Sequence, residues 1–378
     1  MRKKLNLLFK PIEDKTIVWF EQKNEYTILE NVTAELLEEL NKGIEINTIA
    51  AKLSEKMSTP KEACIGFISE LEERYFENPL SDQTETIIDL NTVKIPTDLE
   101  FQKFYKINDF IFKVEFSNEI ELSYVHPKFA HLEVSATEHQ HHFVVFIENK
   151  HLFLAVNNTI INGWKSNEIH FFQGKFSMEL IQAVHQNKEE DWIGVFHASA
   201  VGNSKKTVLF LGDSGNGKST SLAILQANGF TCIADDFVPV DVKKQEVYSF
   251  PAAISIKKNS LDTLLPIYPE LATTAEYNFK RLHKIVRYLK PNTTDFTQHL
   301  PCRELIFIKY EKNAALQFSK INKITAFSQL IPDSWISPKV ENTQVFLDWF
   351  ASLKCYQLTY SNNDEMIKTV SKVFNNDI

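Results

Sequence analysis

The residues best suited to chemistry lie between His197 and Asp236. The run Gly212-Asp213-Ser214-Gly215-Asn216-Gly217-Lys218-Ser219-Thr220 contains the pattern G-x-x-x-x-G-K-[ST], filled by Gly212, Gly217, Lys218 and Ser219. Each residue type answers a demand of phosphate binding. Gly215 and Gly217 allow backbone angles that side chains disfavour, so successive N–H groups can converge on one anion. A helix starting at about Gly217 adds its unpaired N–H groups and the positive end of its dipole. The Lys218 ammonium reaches the outer phosphates, and the Ser219 hydroxyl is a natural magnesium ligand. Residues 212–220 therefore predict a nucleotide site, with ATP and Mg²⁺ as cofactors.

A second feature is the stretch TCIADD, a β-run that ends on two carboxylates, Asp235 and Asp236. The carboxyl end of a strand is where α/β folds build their sites. A pair suits two tasks: one carboxylate holds Mg²⁺, and the other accepts a proton from an attacking hydroxyl. His197, in the strand ahead of the loop, is expected close to the end of the Asp-bearing strand. Taken alone, it reads as a buried, hydrogen-bonded histidine.

These side chains need elements to carry them. TVLFLG (207–212) predicts the strand that feeds the glycine-rich turn, and STSLAILQAN a helix with Gly229 in the position just past its end. IGVFHASAVG is expected as one strand, followed by a tight turn at NSKK. Downstream, EVYSFPAAISI, ELIFIKY and LQFSKI continue the β pattern. ENTQVFLDWFASL, YQLTY and NDEMIKTVSKVF then close the chain as helix, strand and helix.

Towards the N-terminus, KTIVWFEQKNEYTIL reads as two short strands around a polar turn at Gln22–Asn24. Three helices should follow. The first is capped by Asn31 or Thr33 and ends near Gly43. The second carries Ile46, Ile49, Ala50 and Leu53 on one face. The third has Pro60 in its first turn and Ile65, Ile68, Leu71 and Phe76 inward. This order suggests a small winged-helix module. Its acidic excess, including Glu70, Glu72 and Glu73 on the third helix, is a poor face for phosphates and favours peptide docking over DNA. Residues 78–98 look like a polar linker. From Phe104 to Gln173 the runs FYKINDFIFKVEF, IELSYV, LEVSA, HHFVVFIEN, KHLFLAV and EIHFFQ predict a β-rich middle region, then FSMELIQAVHQNK a helix.

Two further groups of residues could do chemistry. Alternation would put His139 and His141 on one face, with His142 adjacent, but no acidic or cysteine partner sits at fixed spacing, so a polar strand end is the plainer reading. The basic segment FKRLHKIVRYLKP offers Lys284 and Arg287 as a clamp for phosphate or an acidic substrate, against the plainer reading of a solvated amphipathic helix end.

Composition narrows the class. The chain has 378 residues, enough for two or three domains, and a formal charge of −8, which argues against nucleic-acid binding by bulk positive field. Its four cysteines are far apart and without C-x-x-C spacing, as suits a reducing cytoplasm. The apolar run within MRKKLNLLFK is too short for a secretory segment, and no later run approaches a membrane span. A cytoplasmic protein without membrane contact is expected.

Residues 195–240, VFHASAVGNSKKTVLFLGDSGNGKSTSLAILQANGFTCIADDFVPV, resemble HPr kinase/phosphorylase and the wider group of HPr-kinase-like serine kinases. A strand with His, a hairpin, the glycine-rich loop, a helix and a strand ending in Asp-Asp follow in that family's order without a gap. The resemblance implies a P-loop, PEP-carboxykinase-like α/β core over residues 191–378. It implies Asp236 as the base, with His197, Lys218 and Ser219 at the family's matching positions. No Glu-Arg-Gly-Ile-Gly type segment follows, so a reverse phosphorylase activity and a second metal ligand are not implied, and Asp235 stands as the metal candidate beside Ser219. Such kinases are often oligomers, so a homo-oligomer is an expectation. The stretch YTILENVTAELLEELNKGIEINTIAAKLSEKM resembles the PqqD-like family, the RiPP recognition element, which holds leader segments of precursor peptides. It covers about residues 12–80 and implies a peptide-docking module over residues 1–85; the strand pattern makes residues 86–190 the β-rich middle region.

Together these readings predict an ATP-dependent kinase acting on a Ser or Thr hydroxyl of a ribosomally made precursor peptide. Two alternatives stay open: a nucleotide-gated peptide chaperone or ATPase without phosphotransfer, and a kinase of a small-molecule hydroxyl.

Overall fold

The structure is a computed structural model and describes residues 4–77, 88–279 and 284–377. It is a mixed α/β protein with several separate sheets.

At the N-terminus, β1 (Leu7–Ile12), β2 (Lys15–Phe20) and β3 (Glu25–Glu30) form an antiparallel sheet in that order. The expected turn at Gln22–Asn24 closes it: Asn24 takes a left-handed φ of 49°, and its side-chain oxygen accepts from the Trp19 indole at 2.8 Å. Helices α1 (Asn31–Asn41), α2 (Ile46–Met57) and α3 (Lys61–Glu72) follow and share a core that includes Leu40, Ile49, Ile68 and Leu71. Neither Asn31 nor Thr33 is the cap of α1. The helix starts from Glu30 without a side-chain cap, and the Asn31 carboxamide accepts from the Thr16 hydroxyl instead.

The middle region keeps a sheet and its closing helix but departs from two of its expected strands. Strands β4 (Phe101–Ile107) and β5 (Phe110–Phe116) are as expected, but IELSYV lies in a helix, α4 (Glu119–Phe129). Asn118 and Glu121 form a reciprocal capping box there, and satisfying two orphan N–H groups outweighs the β-branched pattern. Next come β6 (Glu133–Val134), β7 (His141–Glu148), β8 (His151–Val156) and β9 (Thr159–Lys165). EIHFFQ is likewise not a strand. It opens helix α5 (Ile169–His185), whose Ile169, Phe172 and Phe176 recur at helical spacing and are buried. The sheet order is β6-β4-β5-β7-β8-β9. The first half of the expected linker, residues 78–87, lies outside the described residues. The second half is no linker: Ile88, Leu90, Val93, Ile95 and Leu99 pack against Val144, Phe146 and Phe153.

The largest sheet is built from β10 (Trp192–Phe196), β11 (Ser199–Gly202), β12 (Thr207–Leu211), β13 (Thr231–Asp235), β14 (Val238–Asp241) and β15 (Glu246–Tyr248), with helix α6 (Lys218–Ala227) between β12 and β13. A small sheet follows: β16 (Ile254–Lys257), helix α7 (Leu261–Leu264), β17 (Tyr277–Phe279) and β18 (Lys284–Leu289). The chain then returns to the large sheet with β19 (His299–Tyr310), β20 (Gln317–Lys320), helix α8 (Lys323–Leu330) and β21 (Ser334–Ile336). It ends with α9 (Val340–Ser352), β22 (Lys354–Tyr360) and α10 (Asn363–Asn375). Strand β12 pairs antiparallel with β11 and parallel with β19, which in turn runs parallel to β22.

One expected strand is two. IGVFHASAVG breaks at His197–Ala198, where the chain leaves β14 and β21 as partners and takes up β12 and β13. The stretch after Asp235 makes the reverse change, from β11 to β10. The two crossovers lie side by side, joined by the Asp236 N–H donating to Ala198 O at 2.9 Å.

The chain divides into two compact units. One comprises residues 1–87, 323–325 and 338–351, and the other comprises the rest, so the stretches 86–190 and 191–378 share a unit over most of their length. Within the first unit, Val18 packs with Ala34 and Leu37, while its neighbours Ile17 and Trp19 are fully buried on the opposite face of the sheet. Tyr26, opposite Trp19 in register, packs edge-on against Phe346 of α9. Within the second unit, Lys128 O at the end of α4 accepts from Ala253 N just before β16 at 2.8 Å, tying the middle region to that strand.

Candidate active site

The glycine-rich turn leaves the end of β12 and runs into α6. Three of its glycines have left-handed φ: Gly212 at 131°, Gly215 at 103° and Gly217 at 96°. Gly212 also has no room for a side chain, since a Cβ there would sit 2.9 Å from Ile308 O on the neighbouring parallel strand. Asn216 is a support: its carbonyl accepts from Tyr310 N at 3.0 Å, which fixes the turn against the end of β19. Lys218 is buried, and its ammonium donates to Gly212 O. Burial pulls that ammonium below its ordinary range, against the opposing pull of Asp236, Asp235 and Asp333.

The two aspartates sit in different surroundings. Asp235, the last residue of β13, is 3% exposed. Its Oδ1 accepts from Ser199 Oγ at 2.6 Å and from Ser219 Oγ at 3.0 Å, and its Oδ2 accepts from Ser255 N at 3.0 Å. Burial, then the neighbouring charge of Asp236, pushes its pKa up to about 6, and the three donors hold it back. Asp236 takes a left-handed φ of 64°, which turns the chain at the crossover. Its carboxylate lines the pocket, with Oδ1 3.9 Å from His197 Nδ1.

One pocket gathers His197, Asp213, Ser214, Gly215, Gly217, Lys218, Ser219, Thr220 and Asp236 from the residues singled out in the sequence. Gly212, Asn216 and Asp235 are not part of its lining, and Asp235 is bonded to two lining residues, Ser219 and Ser255. Another wall is built by residues outside the sequence motifs. It comes from the end of β16 and the turn after it: Ser255, Lys257, Asn259 and Ser260. Lys257 Nζ lies 2.6 Å from Ser214 Oγ, and Thr220 Oγ1 donates to Ser260 Oγ at 2.8 Å. The available signal was alternation: Ile254 and Ile256 belong to the core, so Ser255 and Lys257 fall on the other face.

Magnesium takes oxygen donors and keeps several waters, needing few protein ligands. The Ser219 hydroxyl and the buried Asp235 carboxylate, 3.0 Å apart, fit that requirement.

Arg287, His139, His141 and His142 are not brought into the pocket. The segment 279–291 is not a helix end: residues 284–289 form β18, and 280–283 lie outside the described residues. Arg287 does not clamp phosphate. Its guanidinium donates to Leu271 O and Ala272 O and pairs with Glu276. His139 faces His142 rather than His141, and His142 is bound to Glu115 at 2.6 Å. The strand begins only at His141, so alternation does not reach His139. Among the described residues, no group of three His, Cys, Asp or Glu is arranged to hold a metal, and no helix is long and apolar enough to cross a membrane.

No family model matches the chain, and no curated protein matches it significantly. Among solved structures, the HPr(Ser) kinase/phosphatase from Coxiella burnetii is similar over 48% of this chain and 95% of that one, at 10% identity and a TM-score of 0.22. That score is too low to carry fold or chemistry across.

Proposed function

We propose that this protein transfers the γ-phosphoryl group of ATP to a Ser or Thr hydroxyl of a ribosomally made peptide, held by the N-terminal unit. One observation carries the reading: a buried lysine, a hydroxyl bound to a buried carboxylate and a second, pocket-lining carboxylate meet at one glycine-rich turn. The N–H groups of residues 213–219 and the Lys218 ammonium bind the phosphates and neutralise charge as it builds. Ser219 and Asp235 would hold Mg²⁺, which would supply positive charge to offset that of the phosphates. Asp236 takes the proton of the acceptor hydroxyl as its oxygen bonds to phosphorus and the bond to ADP breaks. His197, beside Asp236, orients that carboxylate. The N-terminal sheet supports peptide docking, since β1 and β3 are its edges and an extended peptide can add as a further strand.

The test is mass spectrometry of a precursor peptide encoded beside this protein, after incubation with protein, ATP and Mg²⁺. A gain of one phosphate is expected. Asp236→Asn should keep ADP affinity within about threefold and lower transfer by about 10²- to 10⁴-fold. Transfer that survives Asp236→Asn removes that residue as the base. A tightly bound peptide without phosphate would favour the chaperone reading.

A further inference from the structure

Two ammonium groups, not one, face the pocket. Lys218 belongs to the phosphate loop, whereas Lys257 comes from the opposite wall. Strand β16 explains how Lys257 gets there. Its Ile254 and Ile256 are anchored in the core, and the Ser255 N–H is fixed on Asp235 Oδ2 at 3.0 Å. Lys257, two residues on, shares the Ser255 face and reaches over the pocket to Ser214 Oγ at 2.6 Å. At the far end of the same turn, Ser260 is bonded to Thr220 at 2.8 Å. This wall is therefore stitched to the phosphate loop at both ends, with its cation across the mouth. Like charges over one cavity repel, and negative charge that develops between them during transfer relieves that repulsion.

We propose that Lys257 is a catalytic residue, a cation supplied in cis that leaves Ser214 and closes on the phosphoryl group during transfer. This rests on the phosphotransfer reading above. As the bond between γ-phosphorus and the bridging oxygen breaks, charge builds on the departing ADP oxygen and on the equatorial oxygens, and the Lys257 ammonium donates to them. The acceptor oxygen makes the new bond and yields its proton to Asp236. Many phosphoryl-transfer proteins obtain this second cation as an arginine from a partner. Here it would come from the same chain.

The experiment measures Mg²⁺–ADP affinity by calorimetry and ATP turnover with water as acceptor, for the full chain and for Lys257→Met and Lys257→Arg. Lys257→Met should lower kcat by about 10²- to 10³-fold while changing ADP affinity by less than about fivefold, because the contact forms mainly in the transition state. Lys257→Arg should recover part of kcat, and specific activity should not depend on protein concentration. Unchanged kcat in Lys257→Met, or ADP affinity falling as far as kcat, overturns the assignment and leaves the phosphotransfer reading standing. A wild-type chain that binds no ADP and turns over no ATP overturns both.

Discussion

Gly212 and Gly215 both hold left-handed angles, yet they should not tolerate a side chain equally. At Gly215 an added Cβ meets open space, so alanine brings backbone strain alone. At Gly212 it also presses on Ile308 O of β19, a backbone atom that cannot move without disturbing the sheet. Gly212→Ala should therefore lower the melting temperature more than Gly215→Ala, by several degrees, and weaken ADP binding more. Parallel thermal melts and calorimetry check this, and equal effects would remove the steric argument. These glycines were legible in the sequence because local spacing alone defines the turn. Ser199 and Ser255, which hold Asp235, were not. Ser199 meets it through the β11–β13 register and Ser255 from a strand outside that sheet, and neither distance is encoded by a motif.

At the scale of elements, hydrophobic period misled wherever helix ends decided the outcome. IELSYV carries β-formers, but Asn118 and Glu121 sit three apart as a capping box, a signal within reach of the sequence. The spacing of α9 marks it as a helix, yet nothing in that spacing tells which sheet it covers. Its Phe346 is fully buried and packs on Tyr26 of β3. Phe346→Ala should destabilise the N-terminal unit by about 3–5 kcal/mol, the usual cost of emptying an aromatic site in a core. Hydrogen exchange provides the readout: amides of β2 and β3 should exchange faster, and unchanged protection there would show that α9 does not support the sheet.

For the whole molecule, acid should be the weak side of stability. Burial pulls His131 and His185 down to about 4, below the ordinary 6.5. Between those values the unfolded chain takes up protons that the folded chain refuses, so stability is full above 6.5 and is lost as pH falls towards 4. The melting temperature should drop by several degrees across that window, and the drop should flatten in the double variant His131→Leu/His185→Leu. A wild-type curve that is flat from 6.5 to 4 would contradict the burial of these rings as neutral groups. The membership of residues 338–351 in the N-terminal unit has a consequence for synthesis. The strands that hold Ile17 and Trp19 leave the ribosome well before the helix that covers them, which follows roughly 310 residues behind β3. At about 5–20 residues per second, that apolar face waits some 15 to 60 seconds for its cover. During that time the nascent sheet is a surface for chaperones, until a helix synthesised much later covers it.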